Sequence, residues 1–562
     1  MPSRSRQVRR AEARRAQAKQ TARSRQGGGG GGPDLKDRVP KIRKDGSSSS
    51  SSSSSRWLWL AAGGVVLVVA VIAVVSLSSS SSSSSESSLL TGSGYPNGDT
   101  SNTRYTHGPI NSKNVSQLQT AWTLPLTAKS QYGSYSASPI ISGGAMFSQD
   151  LASNVQAINL KTGKVIWTKN YESPDQGPNG LVVAGGLVYG ATATAAFALN
   201  EKTGQQLWSV TLARNEHEGI DMAPGYHNGI VYVSTVPGNN TKFYGGEGVG
   251  ILWALEAGTG KKLWHFDTAP ESLWGQESVN SGGGVWYTPA FDNEGSMYVG
   301  TANPAPFPGT EQSPWGSSRP GPNLYTDAIV KLNAGTGKVE WYYQQTPHDL
   351  YDWDLQDPPI LANVKGRKEV IASGKSGWVL ALDTHSGKVL WKRSVGIHNG
   401  HDNDGVYAMK REYSKLSLPE TVYPGELGGV IAPMSTNGST VFVPVVNHPV
   451  TFSNQTETQE NGPSTGELVA LDAATGAMKW SRKFPAAAFG ATMAVNDLVF
   501  ATTVEGTVYA LKAGSGSVVS EIKLPAGTNT GVAVSGDTLI APAGLALGNG
   551  QTPEIVAYRS GG

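Results

Sequence analysis

Between Gly300 and Asp354 the sequence gathers residue types that can hold a hard cation beside a proton acceptor. The stretch reads GTANPAPF, then RPGPNLYT and, after a strand and turn ending in Trp341, TPHDLYDWD. Asn303, Asp349, Asp352 and Asp354 offer amide and carboxylate oxygens, which hard cations prefer, and His348 adds a candidate base. Asp352 and Asp354 are two residues apart, a spacing that on extended chain points both carboxylates to one side. Adjacent carboxylates repel, so they call for a cation, a shared proton or plain solvation. A lone Asp-x-Asp is ordinarily a solvated loop, so the surrounding elements decide the reading.

Those elements are repeats. A short apolar strand, a Thr/Ser-Gly turn and a Trp recur in AINLKTGKVIW (157–167), ALNEKTGQQLW (198–208), ALEAGTGKKLW (254–264), KLNAGTGKVEW (331–341), ALDTHSGKVLW (381–391) and ALDAATGAMKW (470–480). A further copy, ALKAGSGSVVS (510–520), lacks the Trp. Each copy reads as a hairpin whose Gly supplies the positive φ of the turn. Repeated hairpins with a fixed aromatic and loops of variable length predict blades of a β-propeller, with each Trp packing between neighbouring blades. An eighth copy is split: EIVAYRS (554–560) supplies its inner half and LQTAWTL (118–124) its outer half. Pairing of the Trp122 strand with the strand around Val556 closes an all-β, eight-bladed ring and leaves no open sheet edge.

Composition supports the same division. The chain has 562 residues, 70 Gly and 15 Trp, a balance of short strands and tight turns. It has no Cys, which excludes disulfides, Cys-ligated zinc, iron–sulfur clusters and covalently attached c-type haem. Residues 1–56 hold 15 Lys and Arg against 4 Asp and Glu, a net +11, which leaves −9 for the rest of a chain whose total is +2. This tail, with its poly-Gly and poly-Ser runs, is expected to be disordered and cytoplasmic. Residues 57–77 (WLWLAAGGVVLVVAVIAVVSL) carry no charge and are long enough for a transmembrane helix. The basic tail places the N-terminus inside and everything after residue 77 outside the membrane. No cleavage-like site follows, so an uncleaved single-pass anchor is expected. A Ser-rich linker (78–94) leads to the propeller domain (95–562). A basic arm beside a membrane span argues against nucleic-acid binding.

From its entry segment NTRYTHGPINSKNVSQLQTAW (102–122) onward, the chain resembles the quinoprotein alcohol dehydrogenases, which use pyrroloquinoline quinone (PQQ). The resemblance is sharpest in the 300–354 stretch and extends to GKSGWVLALD (374–383), GGGVWYTPAFD (282–292) and FGATMAVNDLVFATTVEGTVYAL (489–511). It implies that Glu247, Asn303, Asp352 and Asp354 ligate a Ca²⁺ or lanthanide ion. It also implies that Asp352 is the catalytic base, that Lys375 contacts the quinone oxygens, and that Trp286 stacks against the quinone. Asp354 falls where lanthanide-using members place an extra carboxylate. His348 is expected to be structural, Asp349 and Asp357 to be turn residues, and Arg319 to anchor a loop. The implied reaction is metal-assisted hydride transfer from an alcohol or sugar hydroxyl, with a cytochrome or membrane quinone as separate electron acceptor.

Departures from the family pattern cluster in the first blades. The adjacent cysteine pair of many members is absent, Ser136 stands where the family has Glu, and Pro178-Asn179 stand where it has Arg. Phe489 or a neighbour occupies the place of a late-blade aromatic. These changes sustain an alternative, a non-catalytic propeller that serves as a binding or assembly scaffold at the membrane surface. Convergence of Asn303, Asp352, Asp354 and Glu247 near the axis, with Trp286 and Lys375 around one cavity, distinguishes the enzyme.

Overall fold

A computed structural model describes residues 94–238, 247–270, 274–460, 462–548 and 550–560. The expected basic tail, the span 57–77 and the linker up to residue 93 lie outside the described residues. Among the described residues, no helix is long and apolar enough to cross a membrane.

Eight antiparallel blades form, and in blades 1 to 7 the four blade strands follow one another in sequence order. Blade 1 comprises Ile140–Ser142, Ala145–Gln149, Val155–Asn159 and Val165–Lys169. Blade 2 runs from Val182–Ala184 to Gln206–Thr211, blade 3 from Gly225–His227 to Lys262–Asp267, and blade 4 from Ala290–Phe291 to Val339–Gln344. Blade 5 runs from Ile360–Val364 to Val389–Ser394, blade 6 from Ser435–Thr436 to Met478–Phe484, and blade 7 from Gly490–Val495 to Val518–Lys523. Blade 8 is the split one. Leu118–Pro125 pairs antiparallel with Glu554–Ser560, with Thr123 opposite Val556, as the repeat pattern requires.

The repeat residues bind blade to blade. The turn glycine of each copy lies against the Trp of the preceding blade, so a Cβ on Gly476 would stand 2.5 Å from Trp391. Except at Trp264, the same indole donates to a carbonyl of the turn, as Trp391 Nε1 does to Ala473 O at 2.9 Å and Trp480 Nε1 to Ala513 O at 3.0 Å. The Trp missing at Ser520 has a physical reason. Blade 8 has no turn between its inner and outer halves for such an indole to grip. At that seam, Trp122 Nε1 and Arg559 Nη2 both donate to Leu160 O, at 2.9 and 2.5 Å, and bind blade 8 to blade 1.

The segment from Gly94 to Thr106, placed by the sequence at the entry to the propeller domain, takes a path that the repeat pattern does not specify. It runs past the innermost strands and is hydrogen-bonded to six blades. Val183 donates to Gly94 O, Phe291 to Thr100 O, Leu361 to Ser101 O, Thr436 to Thr103 O and Ala494 to Arg104 O, and Gly94 donates to Ile141 O. Tyr105–Thr106 adds a short parallel strand to blade 7. This strap lies beside a cavity of about 550 Å³ lined by segments leading into the innermost strands of seven blades, among them Ser138, Asn179, Trp286, Phe489 and Gly531.

Candidate active site

Three loops build the site. Asn303 follows the second strand of blade 4 (Ser296–Gly300), and Asp352 and Asp354 lie on the connection from blade 4 to blade 5. Lys375 is in the turn between Arg367–Ser373 and Trp378–Asp383. Asp349 holds the acidic loop in shape, because its carboxylate accepts from Tyr351 N at 3.0 Å and Trp353 N at 2.8 Å. The Lys375 turn is pressed onto this loop. Lys375 N donates to Asp354 O at 2.9 Å, and a Cβ on Gly374 would stand 1.9 Å from that same oxygen, so only glycine fits there.

The side chains converge. Lys375 Nζ donates to Asp352 Oδ2 at 3.0 Å and stands 2.5 Å from Asp354 Oδ2. Asp354 Oδ1 accepts from Asn303 N at 2.7 Å. The same ammonium stands 5.1 Å from the ring centroid of Trp286, whose indole lines the cavity. All five residues are buried. Asp352 is held in the left-handed region at φ 63°, a local strain typical of positioned functional residues. Its Oδ1 is buried without a hydrogen-bond partner.

Burial, the largest influence, pushes the Asp352 carboxyl well above the usual range; Lys375 pulls it down, and Asp354 and Glu426 push it up. Burial alone would lower the Lys375 pKa, but Asp352 and Asp354 outweigh it and raise it. The ammonium therefore stays charged between the two carboxylates. Two carboxylates, one with an unpartnered oxygen, and Asn303, whose backbone is bonded to Asp354, supply hard oxygen donors of the kind that suit Ca²⁺ or a lanthanide ion. Among the described residues, no three His, Cys, Asp or Glu side chains stand close enough to hold an ion by themselves. The remaining ligands of such an ion must come from the amide, the bound cofactor and solvent.

Glu247, expected among the ligands, does not join this group. Its N–H donates to Glu277 O at 2.8 Å and its carbonyl accepts from Asn215 Nδ2 at 3.0 Å, with φ at 61°. This backbone tether leaves the side chain 59% exposed, 3.5 Å from His217. The surrounding residues follow the duller expectations. His348 lies between Gly321 O and Trp315 O, each at 3.0 Å, and burial lowers its pKa to about 4. Arg319 donates to Pro306 O and Asp349 O and anchors the loops. Asp357 departs from its expectation as a turn residue. It is fully buried, accepts from Ser373 Oγ at 2.7 Å, and is pushed well above the usual carboxyl range by burial.

The sequence reading missed Asp327. It is fully buried, both its carboxylate oxygens lack partners, and burial followed by the charges of Asp349 and Asp354 raises its pKa strongly. Its only signal was an acidic residue directly after RPGPNLYT. Ser136 and Asn179 line the cavity, as do Pro178 and Phe489. The hydroxyl of Ser136 and the amide oxygen of Asn179 are buried without partners.

Comparison with known proteins gives concordant results. Residues 95–181 and 223–396 match the family described as glucose/ethanol/alcohol dehydrogenase, β-propeller domain. Residues 428–560 match the family of the outer membrane protein assembly factor BamB. The chain is 30% identical to the quinohemoprotein alcohol dehydrogenase of Comamonas testosteroni over 516 residues, spanning 78% of this chain and 70% of that one. It is 27% identical to the quinoprotein alcohol dehydrogenase PedH of Pseudomonas putida, spanning 74% of this chain and 79% of that one. Its fold superposes on a europium-containing methanol dehydrogenase with a TM-score of 0.69 at 19% identity, covering 83% of this chain and 97% of that chain.

Proposed function

The chain belongs to the PQQ-dependent quinoprotein alcohol dehydrogenase family, and we propose that it oxidises an alcohol or sugar hydroxyl with Asp352 as the base. The observation that carries this reading is the buried convergence of Asp352, Asp354, Asn303 and Lys375 beside Trp286, the one of the five that lines the cavity. The cofactors are PQQ and a Ca²⁺ or lanthanide ion; Asn303, Asp352 and Asp354 would hold the ion, and Trp286 and Lys375 the quinone. When bound, the quinone and its ion supply a polarised acceptor for hydride from the alcohol carbon.

The chain's own residues do the rest. One oxygen of Asp352 is fixed by Lys375, and the other, unpartnered, takes the proton of the substrate hydroxyl. The environment that raises the Asp352 pKa makes it a better proton acceptor once it is ionised. Lys375, kept charged by two carboxylates, places positive charge where negative charge develops. Asp354 holds Lys375 and the Asn303 backbone in register. Trp286 offers a flat face at small entropic cost. With no Cys for a c-type haem, electrons leave to a separate acceptor, a cytochrome or a membrane quinone. The uncharged run 57–77 after a basic tail supports a single-pass anchor, with the propeller on the extracytoplasmic side.

The test is reconstitution with PQQ plus Ca²⁺, then PQQ plus La³⁺, followed by dye-linked alcohol oxidation. Asp352→Asn should abolish turnover and leave the circular dichroism spectrum unchanged. Absence of turnover and of quinone absorbance with either ion would refute the dehydrogenase reading in favour of the scaffold. The match of 428–560 to an assembly factor covers blades 6 to 8, which carry none of the five converging residues.

A further inference from the structure

Arg104 is a buried cation without a counter-charge. It sits in the strap at φ 47° and is 3% exposed. Its guanidinium donates to Thr492 O at 2.6 Å, Asn97 Oδ1 at 3.1 Å, Pro96 O at 3.3 Å, Val532 O at 3.3 Å and Ser138 Oγ at 3.4 Å. Every one of these acceptors is neutral. Other buried or half-buried cations among the described residues have carboxylates beside them. Lys375 has Asp352 and Asp354, Arg214 has Glu218 at 2.7 Å, Lys331 has Glu340 at 3.1 Å, and Arg319 feels Asp349 and Asp327. On Arg104 the only neighbouring ionisable group with an effect is the phenol of Tyr287, and burial lowers its pKa to about 10. A buried ion without an opposite charge is costly even after the protein relaxes around it.

Three of its partners, Pro96, Asn97 and Ser138, line the cavity. Among the described residues, the cavity wall carries no Lys, Arg or His, and its one charged residue is Glu505. A tricarboxylate such as PQQ entering it therefore meets no cation in the wall at the positions where the family grips it, which are Ser136 and Pro178-Asn179 here. We infer that the strap end of the cavity, at Asn97 and Ser138 with Arg104 behind them, binds a carboxylate of the cavity's ligand and so supplies Arg104 with its missing counter-charge. Ser138 transmits the charge. Its oxygen accepts from the guanidinium, which leaves its own proton to donate towards the cavity and polarises that donor. Arg104 is thus a positioning residue that acts through Ser138 and Asn97.

The inference rests on the quinone reading for the identity of the ligand, and the experiment separates the two. Asn97→Asp places a carboxylate on the guanidinium from within the chain, at a position now 3.1 Å away, and cancels the charge offered to the ligand. Binding of PQQ and of its uncharged trimethyl ester is measured by quenching of tryptophan fluorescence, in wild type, Asn97→Asp and Ser138→Ala. Asn97→Asp should melt no lower than wild type, bind PQQ at least tenfold more weakly, and bind the ester within twofold of wild type. Ser138→Ala should show the same selective loss to a smaller degree. Wild type binding PQQ and ester alike, or both variants losing PQQ and ester equally, would overturn the inference and leave the quinone reading intact. If wild type binds neither, the quinone reading fails, and terephthalate, a plain aromatic dicarboxylate, decides the inference. Terephthalate should then raise the melting temperature of wild type and not of Asn97→Asp; equal effects would overturn it.

Discussion

Lys375→Met removes the ammonium from between Asp352 and Asp354 and keeps most of the apolar stem in place. At an effective dielectric of about 20, unit charges 3.0 and 2.5 Å apart attract by roughly 5 to 7 kcal/mol each. Desolvation of the three buried ions offsets much of this. Removal of one partner from such a group costs about 3 to 5 kcal/mol, because uncompensated charge stays buried. Unfolding entropy of about 2.1 cal/mol/K per residue over the roughly 450 described residues gives close to 0.9 kcal/mol/K. Two-state unfolding then converts the loss into a melting temperature lower by about 3 to 5 °C at pH 8 in chelator. Without the ammonium, which pulls the Asp352 carboxyl down, burial holds its folded-state pKa still further above its unfolded value of about 3.9. Its favourable contribution is present below that value and is lost as pH rises, so the deficit at pH 5 should be smaller than at pH 8. Excess Ca²⁺ or La³⁺ at pH 8 should restore the melting temperature, because a cation at the carboxylates replaces the missing charge. Differential scanning fluorimetry of both proteins at both pH values checks this. An unchanged melting temperature at pH 8, or an equal drop at both pH values, would refute the charge arrangement.

Three further outcomes are expected. Asp354→Ala should reduce La³⁺-dependent turnover more than Ca²⁺-dependent turnover, read from initial rates with each ion, because the trivalent ion gains more from each carboxylate. Gly476→Ala forces a Cβ to 2.5 Å from Trp391 at a residue with φ 67°, and should destabilise by about 2 kcal/mol or more in denaturant titrations. Asp357 holds a proton in the folded chain that the unfolded chain releases above pH ~4. Stability from that proton is complete at low pH and is lost as pH rises, so Asp357→Asn should raise the melting temperature at pH 8 relative to wild type and leave it near wild type at pH 4.

The propeller was legible because its information is local. Each Thr/Ser-Gly turn and Trp sits within one hairpin, and the split copy could be joined by matching halves, which is how Thr123 came to face Val556. Asn303, Asp352, Asp354, Lys375 and Trp286 were legible through motif resemblance. Their closeness, carried by loops of blades 4 and 5 together with the segment leading into blade 4, is not encoded in any one window. Glu247 was misplaced because nothing in the sequence revealed the backbone tether to Glu277 and Asn215, which leaves its side chain exposed. Asp327 and Arg104 were missed for a different reason. Burial without a partner, as at Asp327, or without an opposite charge, as at Arg104, is a property of the surroundings, and single residues such as these have ordinary exposed relatives everywhere in the chain.

The seam between Leu118–Pro125 and Glu554–Ser560 has a consequence for biogenesis. The first of these strands is synthesised about 430 residues before its partner. At ribosomal speeds of about 5 to 20 residues per second, it waits roughly 20 to 90 s with unpaired backbone groups. During that interval the nascent chain is an unclosed arc with a sticky rim, the state in which a chaperone or a neighbouring chain would find it.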